Sequence, residues 1–420
     1  MELSQNNHQI NIAFFFAVPI IEHMGGVERV TSILTREFQK RGHNVIYVAF
    51  MTEQFRKEHR EKLLEQNLDV DKYTYLAPQY FINLSQSQEK INRETADLLK
   101  RANVNFVIQQ DPFPFAFPIL KSLPEGIVKI ITKHNRPFAS YKRERSVYKR
   151  MPETGGFAKR LWTNICWMLP IVPRIRNLRL ERNIYRSSLA SADVLCLLSE
   201  YFISRLMKFM PNINLKQVVA ISNPNTFVAE PVEIKKKENL VIMVCRMEDA
   251  IKNISDFLKA WVDIEKKHPD WHAELVGDGS DLEKLKRMAN AMKLNHVRFA
   301  GYQKDVSDYF KRAKILCVSS WYEGWGMIIP EGMCFGCVPV CYTTFESIYT
   351  LIKDEYNGLL VKTNMPKELS LQLNKLIENP EQLQKYAKNG YKHIEQFSTS
   401  TVVDNWEHLY VRIKNEKQPY

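Results

Sequence analysis

The sequence predicts an α/β protein built from two Rossmann-like domains. Three observations carry this. The chain is 420 residues long, room for two domains of ordinary size. Short apolar, β-branched runs alternate with amphipathic helical stretches through both halves. A strand–glycine loop–helix–strand unit also occurs in each half, at Ile12–Phe50 and at Ala313–Tyr342. The composition, 45% hydrophobic and 25% charged, is that of a globular protein and excludes a disordered chain.

Ile12–Val18 reads as the first strand. It leads into Met24-Gly25-Gly26, a helix with Val27, Val30, Ile33, Leu34 and Phe38 on one face, and a strand over Val45–Phe50. The full dinucleotide glycine pattern is lacking, so no nicotinamide cofactor is expected. Residues 51–67 read as a charged helix and Tyr73–Leu76 as a strand. Asp69-Val70-Asp71 between them is read as a solvated connection rather than a metal site. Thr95–Asn103 suggests a helix, Phe106–Gln109 a strand, and Asp111–Pro118 a proline-rich loop. Ile127–Thr132 is a β-branched strand that delivers His134 to the same edge. Ala192–Ser199 and Val218–Ile221 read as strands around a helix at Glu200–Met210. The turn-rich Ser222-Asn223-Pro224-Asn225 marks the domain boundary.

The second half opens with a strand at Leu240–Cys245. Its exit loop carries Arg246 and Lys252, cations suited to phosphate, ahead of a helix through Trp261. Trp271–Val276 is a strand followed by the Gly277-Asp278-Gly279 turn, and Val297–Ala300 is a short strand. Ala313–Val318 is a buried strand ending in small polar residues. Ser319–Gly332 follows, with Val338–Tyr342 and Leu359–Val361 as later strands. Pro330 fixes the phase of that stretch, because proline is tolerated only in the first helical turn. The helix then begins near Gly326 or Met327, and Gly336 serves as its C-terminal cap. The N–H groups of Gly326, Met327 and Ile328 point out of its start and favour an anion. Gly324 and Gly326 let a diphosphate approach the backbone. Glu331 on the first turn suits a ribose diol, and Glu323 lies across the phosphates from it. A helix-capping or solvated role is the alternative for either glutamate.

Glu323 and Glu331, separated by seven residues, resemble the signature of the family 4 retaining glycosyltransferases (glycosyl transferases group 1), and the resemblance runs nearly the length of the chain. It implies the GT-B fold: two Rossmann-like domains facing across a cleft, with a C-terminal helix crossing back to the first. The expected divisions are 1–222 for the acceptor, 223–395 for the nucleotide-sugar, and 396–420 for the returning helix. The resemblance places Arg246 and Lys252 on the donor diphosphate. Glu331 holds the ribose, Glu323 holds the donor sugar, and His134 lies near the transferred sugar. Gly25 and Gly26 close over the diphosphate. Gly277 lies near the base or phosphates, although a simple turn explains it equally well. Cys245 departs from the family, where glycine is common. The implied reaction moves a hexose or N-acetylhexosamine from a UDP-sugar, or a GDP-sugar, to a saccharide acceptor. Anomeric configuration is retained, and neither metal nor cofactor is needed. A GT-B nucleotide-sugar epimerase and a non-catalytic sugar-nucleotide or polysaccharide binder are the alternatives.

The formal charge is +12, and Lys133–Arg186, with 14 basic and three acidic residues, accounts for about +11 of it. No nucleic-acid motif accompanies this segment. Phe157, Leu161, Ile165 and Met168 at helical spacing, with Trp162 and Trp167 nearby, suit an anionic membrane surface. A helix pair packed on the first domain is an equal and compatible reading. Such a surface would suit a lipid-linked acceptor. No apolar run approaches the ~20 residues of a membrane span. Ile12–Ile21 lacks the basic leader and cleavage site of a signal peptide, so a cytoplasmic protein is expected, peripheral on the inner face of the membrane. Seven cysteines without framework spacing read as reduced thiols, with Cys334 and Cys337 as buried small hydrophobes.

Overall fold

The structure is a computed structural model that describes residues 9–21, 25–65, 75–139, 171–229, 233–362 and 365–417. Asp69-Val70-Asp71 and the aromatic stripe from Phe157 to Met168 lie outside the described residues, so the readings placed on them rest on sequence alone. The chain divides into two units, Met1–Pro224 with Thr399–Tyr420, and Asn225–Ser398.

The first unit holds seven strands: β1 Asn11–Phe16, β2 Asn44–Met51, β3 Gln79–Asn83, β4 Phe106–Gln110, β5 Val128–Lys133, β6 Val194–Leu197 and β7 Val218–Ala220. All pair in parallel, in the order β3-β2-β1-β4-β5-β6-β7. A parallel sheet is covered on both faces, so its central strands are continuously apolar rather than alternating. Phe14 and Phe15 on β1 and Val107 and Ile108 on β4 are fully buried accordingly.

The third strand is a correction. Tyr75 and Leu76 are not in a strand; the chain pairs with β2 at Gln79–Asn83 instead. That strand is at the sheet edge and only Ile82 of its five residues is buried, so it shows neither an apolar run nor a clean alternation. The next helix begins at Gln88, earlier than its apolar stripe, because Ser87 caps it by accepting from the Lys90 N–H. Ala116–Ser122 is helical, so the proline-rich loop is shorter than its sequence suggests; Pro118 falls in the first turn, where it costs no hydrogen bond.

The helix Thr399–Lys417 belongs to the first unit. It buries Trp406, Leu409, Tyr410 and Ile413, with the Trp406 and Tyr410 rings 6.4 and 5.2 Å from that of Phe106. Arg41 pins its start through Asp404 at 2.6 Å and Glu407 at 2.9 Å. Lys417 pins its end, 2.7 Å from Asp193 and donating to the carbonyls of Glu125 and Ile127.

The second unit holds β8 Glu238–Val244, β9 His272–Val276, β10 Val297–Gly301, β11 Ala313–Val318, β12 Val338–Tyr342 and β13 Leu359–Val361. They too are all parallel, in the order β10-β9-β8-β11-β12-β13. Its core gathers Phe257, Leu258 and Trp261 from the helix Ile254–Lys267 with Leu275, Ile315 and Tyr342 from the sheet. The helix Ile328–Cys334 lies tight on β11, since a Cβ at Gly332 would meet Leu316 Cδ2 at 2.8 Å.

Trp406→Ala should destabilise the first unit by about 3–5 kcal/mol, the usual cost of emptying a buried tryptophan site. Leu371→Ala, at a position 56% exposed, should stay within about 0.5 kcal/mol. Urea denaturation of the two variants beside the parent protein checks the contrast.

Candidate active site

In the second unit the strand order reverses between β8 and β11, and ligands of such sheets bind at the C-terminal ends of the strands flanking a reversal. The loop leaving β8 is braced from β9. Cys245 N–H donates to Val276 O at 3.0 Å and Met247 N–H to Asp278 O at 2.9 Å. Gly277 makes this approach possible: its φ is +134°, and a Cβ there would stand 2.0 Å from the Cys245 carbonyl oxygen.

The loop closes in a short helix, Asp249–Lys252, that stops at Asn253 in the left-handed conformation, φ +50°. Ser319 Oγ, just past β11, reaches both the Lys252 carbonyl at 3.1 Å and the Asn253 carbonyl at 2.9 Å. Trp321 N–H donates to Ile251 O at 2.8 Å. This clamp sets Lys252 Nζ 2.6 Å from Glu323 Oε1, with both side chains largely withdrawn from solvent. Burial works against the Lys252 ammonium, but the charge and hydrogen bond of Glu323 outweigh it and hold its pKa above the ordinary lysine value. Cys245, in the position where glycine was expected, is a neutral thiol whose pKa burial pushes up to about 12. Arg246 does not join the pair. Its side chain is 71% exposed and lies 3.3 Å from Glu248 Oε1.

The loop after β11 is held from below. Ser347 Oγ bonds the Trp325 carbonyl at 3.0 Å, and the Trp325 ring meets Phe397 edge-on at 5.6 Å. Gly326 has φ +91°, a conformation that strains any other residue. The helix that follows starts at Ile328, with Met327 as its cap position. Ile329 N–H already bonds Gly326 O at 2.9 Å, so Gly326, Met327 and Ile328 form the turn ahead of the first helical bond. Glu331, 2% exposed, accepts a 2.7 Å hydrogen bond from Thr226 Oγ1. The structure therefore joins Lys252 directly to Glu323. Gly277 packs under the same loop, and Glu331 is tied to a residue that the sequence reading did not single out. Thr226 and Ser319 carried weak signals: one follows the turn-rich segment read as a domain boundary, the other is a small polar residue at a strand end.

In the first unit Gly25 is extended, φ −167°, and its carbonyl accepts from Arg29 N–H, so Gly25-Gly26 opens the helix Gly26–Lys40. His134 lies just past β5 and is 8% exposed. Its Nε2 faces Gln110 Oε1, with Thr132 Oγ1 at 3.2 Å. Burial lowers its pKa; the Asp111 charge opposes this and Lys133 adds to it, so the ring is neutral. Asp111 bonds Lys133 Nζ at 3.0 Å and accepts the His134 backbone N–H, and with burial opposing, these partners hold its carboxyl below the ordinary range.

Cys334 Sγ lies 3.4 Å from Phe227 O and Cys337 Sγ 3.2 Å from Phe310 O; the two do not converge on a metal. Among the described residues no group of three or more His, Cys, Asp or Glu is placed to hold one. Among them, too, no helix is long and apolar enough to cross a membrane.

Residues 225–393 match the family described as glycosyl transferases group 1. An uncharacterised glycosyltransferase of Haemophilus influenzae is 29% identical over 191 residues, which cover 45% of this chain and 54% of that protein. An α-1,4-N-acetyl-D-galactosaminyltransferase of Campylobacter jejuni that acts on an undecaprenol-PP-linked glycan is 26% identical over 181 residues, 43% of this chain and 50% of that one. The chain thus spans about half the length of these relatives. The crystal structure of Anabaena HepE in complex with UDP superposes with a TM-score of 0.68 at 16% identity, covering 96% of this chain and all of that one. Residues 225–393 thus resemble the glycosyl transferases group 1 family, and the chain carries the GT-B fold.

Proposed function

We propose that the chain is a retaining glycosyltransferase that moves a hexose or N-acetylhexosamine from a nucleotide-sugar to a saccharide acceptor without a metal. The observation that carries this reading is the Lys252–Glu323 pair at the β8/β11 reversal, beside the Gly326 turn. Glu323 uses one of the three N–H donors of the ammonium, leaving a charged group to meet a diphosphate oxygen. Arg246 adds a planar fork of donors from an exposed position. The N–H groups of the Gly326, Met327 and Ile328 turn add neutral donors. Fixed donors aimed at the leaving group stabilise the developing negative charge of a leaving nucleoside diphosphate.

In the step itself the bond between the anomeric carbon and the β-phosphate oxygen breaks, and its electron pair goes to that oxygen. The acceptor hydroxyl oxygen bonds the anomeric carbon on the same face, and its proton passes to the departing phosphate oxygen. Lys252 and Arg246 stabilise the phosphate throughout. Glu331, oriented by Thr226, holds the ribose hydroxyls, and Glu323 holds hydroxyls of the donor sugar. Gly277 and the Gly25-Gly26 turn shape the backbone around the phosphates. His134 lies by the transferred sugar, and the acceptor falls to the first unit.

A UDP-sugar is favoured over a GDP-sugar, a choice supported by the UDP complex of the HepE relative. A lipid-linked acceptor in surface-glycan assembly is supported by the undecaprenol-PP-linked substrate of the Campylobacter relative and by the basic Lys133–Arg186 stretch. The same charge supports peripheral attachment of that stretch to an anionic membrane at the cytoplasmic face.

Purified protein incubated with UDP- and GDP-sugars in EDTA should release one nucleoside diphosphate, faster with an undecaprenol-PP-linked saccharide present. Loss of turnover on chelation, restored by a divalent ion, would overturn the metal-free reading, and conversion of donor to a new sugar without acceptor would mark an epimerase. Lys252→Ala should lower kcat/KM about 10²–10³-fold, the usual cost of removing one preorganised donor to a developing anion. Thr226→Val should weaken UDP binding about tenfold in calorimetry, by loosening Glu331, with kcat changed less.

A further inference from the structure

His134 has two ring nitrogens, and which one carries the proton decides whether it can donate to or accept from a substrate. A chain of hydrogen bonds in the first unit settles this. Thr31, on the helix that Gly25-Gly26 opens, donates its hydroxyl to Val27 O at 2.8 Å. Its oxygen is then the acceptor for Gln110 Nε2, 3.1 Å away. With its nitrogen committed to Thr31, the Gln110 amide turns its carbonyl oxygen to His134 Nε2. A carbonyl oxygen accepts only, so Nε2 must carry the proton. Thr132 Oγ1, 2.8 Å from the same oxygen and 3.0 Å from Gln109 O, donates to one of these carbonyls and so faces Nε2 with a lone pair.

The other nitrogen, Nδ1, is therefore a lone-pair acceptor. It is buried and has no hydrogen-bond partner among the described residues. Thr31, Gln110 and Thr132 each have partners in the chain and are almost fully buried, at 0%, 2% and 2% exposure. A buried polar atom left over from so complete a network calls for a functional explanation. We propose that Thr31 and Gln110 are positioning residues that hold His134 as the neutral Nε2–H tautomer, with Nδ1 kept as the lone-pair acceptor at the edge where the sugar substrate would lie. The sugar end of this proposal rests on the glycosyl-transfer reading; the tautomer does not.

The relay starts at Val27, in the first turn after Gly25-Gly26. That glycine turn and His134 thus belong to one hydrogen-bonded body that runs from the helix through β4 to the end of β5. Losing the Thr31 hydroxyl frees the Gln110 amide to turn over, and a turned amide presents N–H to Nε2 and selects the opposite tautomer.

The test uses the full chain labelled with ring-¹⁵N histidine, with the His134 signals identified by their loss in His134→Gln. The long-range ¹⁵N–¹H spectrum at neutral pH should show His134 as a single neutral ring protonated at Nε2. Thr31→Val, close to isosteric, should bring up the Nδ1–H form, and Thr31→Ser should restore the parent spectrum. With a turned-over donor in hand, Thr31→Val should lower kcat about tenfold with little change in donor KM, and Thr31→Ser should recover it. A parent ring protonated at Nδ1, or a Thr31→Val spectrum identical to the parent, overturns the proposal. So does an unchanged kcat in a Thr31→Val protein whose tautomer has shifted. If no sugar donor is turned over at all, the spectra still decide the relay, and it is the transferase reading that fails.

Discussion

A parallel sheet wound outward in both directions from an inner strand has one point at which its strand order reverses. In each unit the chain starts at an inner strand, winds outward one way, then returns to the other side of that strand and winds outward again. The consequence is local. Loops after the two strands that flank the reversal leave in opposite directions and expose backbone at one edge. In the second unit those strands are β8 and β11, and Arg246, Lys252, Glu323 and the Gly326 turn all lie on the loops after them. In the first unit the reversal lies between β1 and β4. The Gly25-Gly26 turn follows the first of these and Gln110 ends the second, with His134 one strand further on.

The two units present different electrostatics at these edges. Lys252 stays charged although mostly withdrawn from water, because Glu323 compensates the loss of hydration. A buried ion pair is weak evidence for stability, since desolvation of both partners can exceed their attraction. Its retention at a strand-order reversal is better explained by what the ammonium can do there than by what it adds to folding. His134 is the opposite case. Burial keeps its ring neutral, and its one bonded nitrogen faces an amide rather than a carboxylate. A fixed cation suits phosphate; a neutral acceptor suits a hydroxyl.

Much of this was legible in the sequence, for identifiable reasons. β11 and β12 begin and end at Ala313, Val318, Val338 and Tyr342, as their apolar runs indicate, because strands buried on both faces leave no polar interruptions. Pro330 and Gly336 set the phase and end of the helix between them through backbone constraints that context does not override. β3 lies beyond the Tyr73–Leu76 run that the sequence suggests, because this edge strand buries one residue in five and shows no pattern. The division between units falls at Pro224 and Asn225, inside the turn-rich Ser222–Asn225 segment, and at Ser398 and Thr399. What the sequence could not show were long-range hydrogen bonds. Ser319 on Lys252 and Asn253, Thr226 on Glu331, and Thr31 on Gln110 each join residues 66 to 105 positions apart, and serine or threonine near a strand end or in a helix carries no sign of its partner.

Those bonds also explain why the loop after β11 is held so firmly within its unit. Glu331 is fixed to Thr226, and Asn225 beside it donates its backbone N–H to the Phe397 carbonyl at 2.7 Å and its side-chain amide to Ile394 O at 3.1 Å. Phe397 in turn packs edge-on against Trp325, whose carbonyl is held by Ser347. The segments by which the chain enters and leaves the second unit are therefore bonded to each other. Each also touches the stretch that carries Glu323, Gly326 and Glu331. A glutamate on a free loop would have to pay for its ordering each time a ligand arrived. Here the backbone of that loop is ordered by contacts that folding has already made. The carboxylates that sequence spacing singled out are thus preorganised by residues that spacing could not reveal.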